Sequence, residues 1–515
     1  MAWRAFLGTL VFATPLLLLL PEGISIGSSD SGVVIGTATF VRDVGPAWLL
    51  ETQEPPLLQV VYGPWLGVLQ DAHPLVVVPL VSTMILAALT SALAARVVQS
   101  SSAGVLAGLL LLAMATPIPQ SRLLPLYPAF IAFGMLGIWL AARFVREESA
   151  PRALALGAAF SILLAVLAHG AGLYFLTLLG AVVVFVTDRG SFKRFVELLL
   201  VQVVVLLPWI VAHLWIGGLH RFLSPRSTWF TSEGHLARVT ADYWGQSVQS
   251  AGDIVTFLPE QFFGALGWTA WIVVPLAAAG FFKLSRRSQV FVVVAAAALV
   301  APLVLYGMRV FARYFYPLLP GLAILAAVGV GAVSRLLRRA ASKPAITFAH
   351  GLVVLLVAAL YVAQLTSAHA VAERESRAPE RTDLRRIDSL IDDGRAVIAT
   401  RRSVVLTLEA PQAIVLYADM LGEREYISYM TWERDDMLDV FRRRNIGWAL
   451  VRKPVARELR YNATWLGAGY GLTPTYTRRL ESDPMSCLAY NGTRYKLYRL
   501  QPLSGDRGAR SCDAT

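Results

Sequence analysis

Five polar residues near the ends of apolar stretches are of types that do chemistry. They are Asp30 in GSSDSG, Arg122 in PIPQSRLLPLYPAF, His169 before a glycine, and Arg309 and Arg313 in MRVFARYFYPLLPGLAI. A carboxylate can deprotonate an attacking hydroxyl or amine, and the planar fork of arginine matches the oxygens of a phosphate. If one membrane face gathers these side chains, they predict activation of a nucleophile beside a bound phosphate.

The elements that must position these residues are membrane helices. Of the 515 residues, 56% are hydrophobic and 16% are charged, whereas soluble proteins carry about 25% charged residues. The apolar residues fall in blocks of roughly 17 to 25, the length that crosses a bilayer as a helix. We predict a polytopic α-helical membrane protein with about eleven transmembrane helices, at 5–21, 74–98, 103–117, 123–144, 152–168, 171–187, 195–216, 264–283, 289–306, 314–334 and 345–367.

The basic residues between these spans predict the orientation of the chain. A cytoplasmic N-terminus puts Arg4, Arg96 and the basic residues of 143–152, 189–194, 283–287 and 335–343 inside. The short outer turns then keep only Arg122, Arg309 and Arg313, as the positive-inside rule requires. The first segment is either an uncleaved anchor or a signal peptide, and the lack of a clear cleavage site favours the anchor.

This topology divides the chain into two parts. Residues 1–367 form the transmembrane domain, with a first extracytoplasmic loop at 22–73 and an outer loop at 217–263. Residues 368–515 are predicted to form a small extracytoplasmic α/β domain, because DDMLDVFRRR is typical of a helix and IGWALV of a strand. Cys487 and Cys512 in this part are a candidate disulfide, since such a compartment permits one.

The order of short motifs along the chain resembles that of the C-fold (GT-C) membrane glycosyltransferases. An aspartate in the first outer loop is followed by PPL at 55–57, LLPWIV at 206–211, RYFYPLLP at 313–320 and a soluble C-terminal domain. Within that fold the chain is similar to family 39 and the aminoarabinose-transferase branch, which includes the protein O-mannosyltransferases. The resemblance implies transfer of a sugar from a polyprenyl-phosphate donor outside the cytoplasm, with inversion at the anomeric carbon.

The resemblance also implies roles for single residues. Asp30 takes the place of the catalytic base or acceptor-orienting carboxylate, although the acid that often follows it is Ser31 here. Arg313 matches the arginine of the late RY motif and is expected to bind the donor phosphate, together with Arg122 and His169.

Three positions depart from the pattern of the family. Glu54 stands where a lysine often precedes PPL, Tyr127 where an acid often follows the arginine, and His169 where a lysine is common. The residues that remain candidates for the substrate groove are Glu54, Tyr127, Tyr314, His220 and Arg221.

Each of these side chains also has a simpler explanation. An aspartate after a membrane span is often a solvated loop residue or a helix cap, and interfacial arginines often only extend their charge to water. His169 alone fits a packing histidine, and Glu54 fits a cap before Pro55 and Pro56. The aromatic residues of 217–263 fit an interfacial belt, with stacking on a sugar as the functional alternative.

Several function classes find no support in the sequence. The net charge of +12 comes without a basic, aromatic-interleaved face, so we expect no nucleic-acid partner. The seven histidines show no metal-ligand spacing, and no cofactor is evident, which leaves metal dependence open. A glycine loop for a nucleotide phosphate is also missing, which disfavours a cytoplasmic nucleotide-sugar enzyme.

We therefore expect a multi-pass enzyme of a plasma membrane or ER-type membrane. Its donor would be a sugar on a dolichyl or undecaprenyl monophosphate, and its acceptor a protein, a lipid or a glycan. A lipid or sugar flippase or transporter is a competing hypothesis, although the spans nearly lack the deep polar residues of a transport path. Two more hypotheses are an oligosaccharyltransferase, whose WWDYG motif is missing, and a C-fold protein that has lost catalysis.

Overall fold

The structure is a computed structural model that describes most of the chain. The described residues are 1–26, 29–44, 56–223, 251–305, 312–340, 343–391, 395–399, 405–417, 441–453, 480–483 and 486–500. The chain divides into two compact units. The first comprises Met1–Pro21, Val76–Ile210 and Val248–Val371, and the second comprises Glu22–Leu75, Val211–Ser247 and Ala372–Thr515.

The described part of the chain is mainly helical. Its α-helices are α1 (Ala2–Ala13), α2 (Ser29–Val44), α3 (Pro56–Leu66), α4 (Val77–Val98), α5 (Ser101–Ala113), α6 (Pro117–Gln120), α7 (Tyr127–Arg146), α8 (Ala153–Ala168) and α9 (Leu173–Ala181). They continue with α10 (Arg189–Leu223), α11 (Ala251–Leu266), α12 (Ala270–Phe281), α13 (Arg286–Leu305), α14 (Leu319–Ala340), α15 (Lys343–Ser376), α16 (Pro379–Asp388) and α17 (Leu406–Glu409). The strands are β1 (Ala396–Ala399), β2 (Val415–Tyr417), β3 (Ile446–Arg452), β4 (Ser486–Asn491) and β5 (Tyr495–Leu500).

Several helices have the length and apolar composition of membrane spans. Among the described residues there are seven such helical stretches: Ala2–Leu19, His73–Val98, Tyr127–Arg146, Arg189–Ala212, Leu258–Phe281, Ala312–Arg335 and Gly351–Ser376. Three other predicted spans coincide with the shorter apolar helices Ser101–Ala113, Ala153–Ala168 and Leu173–Phe185. The prediction of a polytopic α-helical membrane protein is confirmed, and the number of eleven spans stays a prediction.

Helices of the first unit approach one another closely where they carry small residues. A Cβ atom on Gly280 of α12 would overlap the carbonyl oxygen of Leu325 in α14, and a Cβ atom on Gly329 of α14 would overlap that of Leu276 in α12. Small residues at such crossings let helix backbones touch, which is how membrane helices gain packing energy without a hydrophobic driving force. The α12–α14 pair therefore depends on both glycines.

The second unit contains a mixed five-stranded sheet in the order β2-β1-β3-β5-β4. Strand β1 pairs in parallel with β2 and β3, whereas β5 pairs antiparallel with β3 and β4. Strands β1 and β3 are short apolar runs that are almost wholly buried, as expected of strands covered on both faces. The predicted strand IGWALV is confirmed as part of β3, and a small C-terminal sheet is present as predicted.

The β4–β5 hairpin is held by one buried carboxylate of α16. Asp383 is 4% exposed and accepts hydrogen bonds from the Tyr490 hydroxyl at 2.9 Å and from the backbone N–H groups of Thr493 at 3.1 Å, Arg494 at 2.5 Å and Tyr495 at 3.2 Å. A carboxylate that accepts several N–H bonds satisfies donors that a tight turn would otherwise leave unpaired. Asp383 thereby fixes the hairpin turn to the helix.

Two helices extend further than the sequence suggested. TATFVRD, in the predicted first extracytoplasmic loop, lies inside the 16-residue helix α2, whose residues 31–39 are all buried. Apolar or small residues on every side of SGVVIGTAT explain a helix that is buried all round. Likewise, α10 runs on through 217–223, part of the expected outer loop.

Candidate functional site

Arg122 is a buried cation of the first unit. It follows the short helix α6, where its backbone N–H donates to the carbonyl of Pro119 at 3.3 Å, and the residue is only 3% exposed. The segment before it is tied to α11, because Thr116 Oγ1 donates to the Ala265 carbonyl at 3.1 Å. A buried guanidinium keeps its charge and its five N–H donors, so this position is suited to anionic oxygen atoms.

The structure brings Tyr127 and His169 together. Their ring centroids lie 4.5 Å apart, and the His169 ring also stacks on Phe130 at 5.0 Å. His169 ends α8 by adopting extended backbone, and its Nδ1 accepts the N–H of Ala171 at 3.0 Å. That hydrogen bond assigns the ring hydrogen of the neutral imidazole to Nε2. His169 is therefore arranged as a hydrogen-bond donor at Nε2, which is a useful role beside a phosphate.

Arg313 and Tyr314 lie in the 3₁₀ segment Ala312–Leu318, directly before α14. The guanidinium carbon of Arg313 is 5.7 Å from the centre of the Tyr314 ring, within the range of a cation–π contact. Phe315 anchors the segment by an edge-to-face contact with Phe262 of α11 at 5.5 Å, and Tyr316 is fully buried. The two anchors leave Arg313 half-buried, held by packing rather than on a free loop.

Asp30 belongs to the second unit, in the first turn of α2. The structure describes the backbone of this residue and not its side chain. The helix itself is held by the C-terminal part of the chain: Thr407 Oγ1 donates to the Gly32 carbonyl at 3.0 Å, and Thr39 Oγ1 donates to the Pro411 carbonyl at 3.1 Å. The N-terminal end of a helix favours a negatively charged side chain, so this position suits an ionised aspartate.

Some predicted residues lie beyond what the structure describes. Glu54 and Cys512 are outside the described residues, and for His220 and Arg221 only the helical backbone of α10 is described. Cys487 in β4 is disulfide-bonded, and Cys512 is the only other cysteine of the sequence.

The second unit contains a buried ionic cluster that no sequence motif indicated, formed by Glu409, His73, Arg381 and Arg385 and here named the Glu409 cluster. Glu409 Oε1 lies 3.0 Å from His73 Nε2 and 2.6 Å from Arg381 Nε, and Oε2 lies 2.9 Å from Arg385 Nε. Burial alone would raise the pKa of Glu409, but the hydrogen bonds of His73 and Arg385 and the charge of Arg381 outweigh it and lower the pKa to about 2. Glu409 is therefore ionised at neutral pH.

Only part of this cluster left a signal in the sequence. Arg381 and Arg385 are four residues apart in PERTDLRRID, a spacing that puts both on one helix face. Their common partner Glu409 is 24 residues beyond Arg385 and 336 residues beyond His73, distances over which periodicity carries no information. Within the described residues, no group of three or more histidine, cysteine, aspartate or glutamate side chains is placed to hold a metal ion.

Solved structures share the fold of this chain, although no protein-family model and no curated protein sequence matches it. ArnT from Cupriavidus metallidurans, in a crystal structure bound to undecaprenyl phosphate, is similar with a TM-score of 0.63 and 14% identity. The similarity covers 96% of this chain and 97% of that one, and the apo state of the same protein gives the same values.

An archaeal oligosaccharyltransferase shares the fold less closely. AglB from Archaeoglobus fulgidus, in complex with an inhibitory peptide and a dolichol-phosphate, has a TM-score of 0.51 and 14% identity over 97% of this chain and 74% of that one. Both proteins have the GT-C fold, so the resemblance to C-fold glycosyltransferases is confirmed at the level of the fold.

Proposed function

We propose that this protein transfers a sugar from a polyprenyl-monophosphate donor to an acceptor at the extracytoplasmic face of the membrane, with inversion at the anomeric carbon. The observation that carries the proposal is the likeness of fold, over nearly the whole chain, to ArnT bound to undecaprenyl phosphate. The bilayer that the membrane helices span provides a hydrocarbon environment for a polyprenyl tail, and a donor phosphate at the outer interface would meet the arginines of the outer turns.

Arg313, Arg122 and His169 bind the donor phosphate in this proposal. The two guanidiniums neutralise its charge, and the Nε2–H of His169 donates one further hydrogen bond. Charge on the phosphate oxygens rises as the sugar leaves, so donors that are already fixed stabilise the transition state more than the bound donor. The burial of Arg122 and the aromatic packing of His169 support this role, because both side chains are held before the donor binds.

Asp30 acts on the acceptor. A hydroxyl oxygen or an amine nitrogen of the acceptor attacks the anomeric carbon, and the bond between that carbon and the phosphate oxygen breaks with its electron pair on the phosphate. The proton of the acceptor goes to the Asp30 carboxylate. Attack on the face opposite the leaving group inverts the anomeric configuration. Tyr127, Tyr314, Glu54, His220 and Arg221 are proposed to border the substrate groove.

The test is consumption of lipid-linked sugars by the full-length protein in membranes. A panel of lipid-linked sugars, with polyprenyl-monophosphate sugars and pyrophosphate-linked glycans, is supplied with membrane extract as the source of acceptors. Release of free polyprenyl phosphate is measured for the first kind of donor, and release of free polyprenyl pyrophosphate for the second. We expect wild type to consume a monophosphate donor and Asp30→Asn to lose about 10²-fold or more of that activity, the usual contribution of general base catalysis. Asp43→Asn, in the same helix α2, is the matched control and should retain activity.

Each outcome of this assay separates the competing functions. Asp30→Asn with wild-type activity would remove Asp30 from the reaction. Consumption of a pyrophosphate-linked glycan alone would favour an oligosaccharyltransferase. If no donor loses its sugar, movement of a labelled donor across the bilayer of liposomes that contain the protein is measured next, and such movement would favour a flippase.

A further inference from the structure

The segment 22–75, which belongs to the second unit and contains the predicted first extracytoplasmic loop, has its two ends joined at one side chain. His73, near the end of this segment, accepts the backbone N–H of Ile24 at its Nδ1 over 3.1 Å. Because Nδ1 accepts, the ring hydrogen lies on Nε2, where it donates to Glu409 Oε1 at 3.0 Å. His73 thus ties the beginning of the segment to its end and ties both to the C-terminal part of the chain.

The helix α17 that carries Glu409 holds the same segment at two further points. The backbone N–H of Ala72 donates to the Leu408 carbonyl at 2.7 Å, and Thr407 Oγ1 donates to the Gly32 carbonyl of α2 at 3.0 Å. Three consecutive residues of α17 therefore contact the end of the segment and the first turns of the helix that contains Asp30. Gly32 is only two residues beyond Asp30.

The carboxylate of Glu409 is the fixed centre of these contacts. Its side chain is 2% exposed, that of His73 6% and that of Arg381 12%, whereas that of Arg385 is 62% exposed. Both carboxylate oxygens accept hydrogen bonds from cations of α16, and such charge-assisted bonds in a buried place are strong and directional. An amide in place of the carboxylate has one acceptor oxygen and would turn an NH₂ group toward an arginine.

From these contacts we propose that Glu409 is a positioning residue: it locks the segment 22–75 onto the C-terminal part of the second unit and so sets the position of the Asp30 helix. This inference rests on the proposed function for its effect on activity and on the described contacts alone for its effect on the segment. Loss of Glu409 is expected to lower the rate because it would let the Asp30 helix shift, and a displacement of about 1 Å at a reacting group can cost about 10²-fold in rate.

The experiment compares Glu409→Gln with Glu481→Gln in the full-length protein. Glu481 is the matched control because it is a carboxylate of the same unit, paired with Lys496 and Tyr498 at its surface. Thr407→Val is a second, milder variant that removes the hydrogen bond to Gly32 and keeps the Glu409 cluster. Amide hydrogen exchange of 22–44 and 56–75 is measured by mass spectrometry, and kcat and KM are measured with the donor identified for wild type.

In Glu409→Gln we expect the backbone amides of 22–44 and 56–75 to exchange at least about tenfold faster than in wild type. We expect kcat to fall about 10- to 100-fold, with KM for the donor within about twofold of wild type. Thr407→Val should speed exchange in 29–44 alone and lower kcat severalfold, while Glu481→Gln should match wild type. Exchange in Glu409→Gln equal to that in Glu481→Gln would overturn the proposal. So would faster exchange with an unchanged kcat.

The exchange measurement does not depend on enzymatic activity. If wild type consumes no donor, the proposed function fails, and the exchange rates alone then support or overturn the anchoring of the segment by Glu409. If Glu409→Gln does not fold, Thr407→Val decides, because unchanged exchange and unchanged kcat in that variant would contradict the proposed path to the Asp30 helix.

Discussion

At the scale of single residues, the tautomer of His169 determines what this residue can offer to a phosphate. Its Nδ1 is already an acceptor for the Ala171 N–H, so the hydrogen is on Nε2 and the ring can donate without carrying a charge. A lysine at this place would bring a full positive charge instead. With His169, the positive charge in this proposal comes from Arg313 and Arg122.

A phenylalanine at position 169 separates the hydrogen bond from the packing. His169→Phe keeps a ring against Tyr127 and Phe130 and removes the Nε2–H donor. A hydrogen bond to a charged group contributes about 1.5–3 kcal/mol, so we expect kcat/KM for the donor to fall about tenfold to a hundredfold, with the larger part of the loss in kcat because the charge on the phosphate rises in the transition state. Steady-state kinetics with the lipid-linked donor measures both constants.

The control for this variant is Phe130→Leu, which disturbs the stacking partner of His169 and leaves its hydrogen-bond donor in place. kcat/KM in Phe130→Leu should fall less than in His169→Phe, since one aromatic pair contributes only about 0.5–1.5 kcal/mol. Equal losses of kcat/KM in the two variants would show that packing of the ring, and not its N–H, matters for the reaction.

At the scale of elements, the bundle of the first unit depends on contacts between helix backbones. Two glycines, Gly280 and Gly329, bring α12 and α14 together, and in each case a carbonyl oxygen of the other helix occupies the place of a side chain. The 3₁₀ segment that holds Arg313 and Tyr314 continues directly into α14. The α12–α14 crossing therefore fixes the helix that directly follows Arg313 and Tyr314 of the RY motif.

Gly329→Ala tests this crossing against a control in the same helix. The added methyl group would overlap the Leu276 carbonyl, and overpacking of this kind costs about 1–3 kcal/mol, so the melting temperature of the purified protein in detergent should fall by several degrees. Gly321→Ala, also in α14, meets no atom within 4 Å and should leave the melting temperature unchanged or slightly higher, because alanine favours helix over glycine. Equal melting temperatures for the two variants would mean that α12 and α14 can move apart with little loss in the free energy of unfolding.

At the scale of the whole molecule, orientation in the membrane decides which leaflet supplies the donor. The proposal requires an extracytoplasmic second unit and cytoplasmic connections flanked by arginine, such as the one between α7 and α8, which has Arg143 and Arg146 on one side and Arg152 on the other. Both places offer exposed reporter positions, Glu148 in that connection and Ser482 in the second unit.

Cysteine labelling in intact cells tests this orientation. A membrane-impermeant maleimide should label Ser482→Cys in intact cells and should label Glu148→Cys only after permeabilisation. Wild type is the control for background labelling, since Cys487 is disulfide-bonded. The opposite pattern would put the second unit in the cytoplasm and would rule out transfer at the outer face.

The sequence by itself determined the features that depend on short stretches of chain. Runs of about 20 apolar residues specified the membrane architecture, and alternation of apolar and charged segments indicated the C-terminal sheet, because hydropathy and backbone propensity act over a few turns. The short motifs around Arg313 and Asp30 also sufficed to predict the GT-C fold.

Only the tertiary structure decided how distant segments are joined. The full length of α2, the pairing of Tyr127 with His169, the support of the hairpin by Asp383 and the whole Glu409 cluster appear in no local pattern. Each depends on contacts between residues that are tens to hundreds of positions apart, and a buried charge such as that of Glu409 is stable only where the fold brings all its partners together. The local sequence specifies what each segment can form, and packing specifies which polar groups must meet.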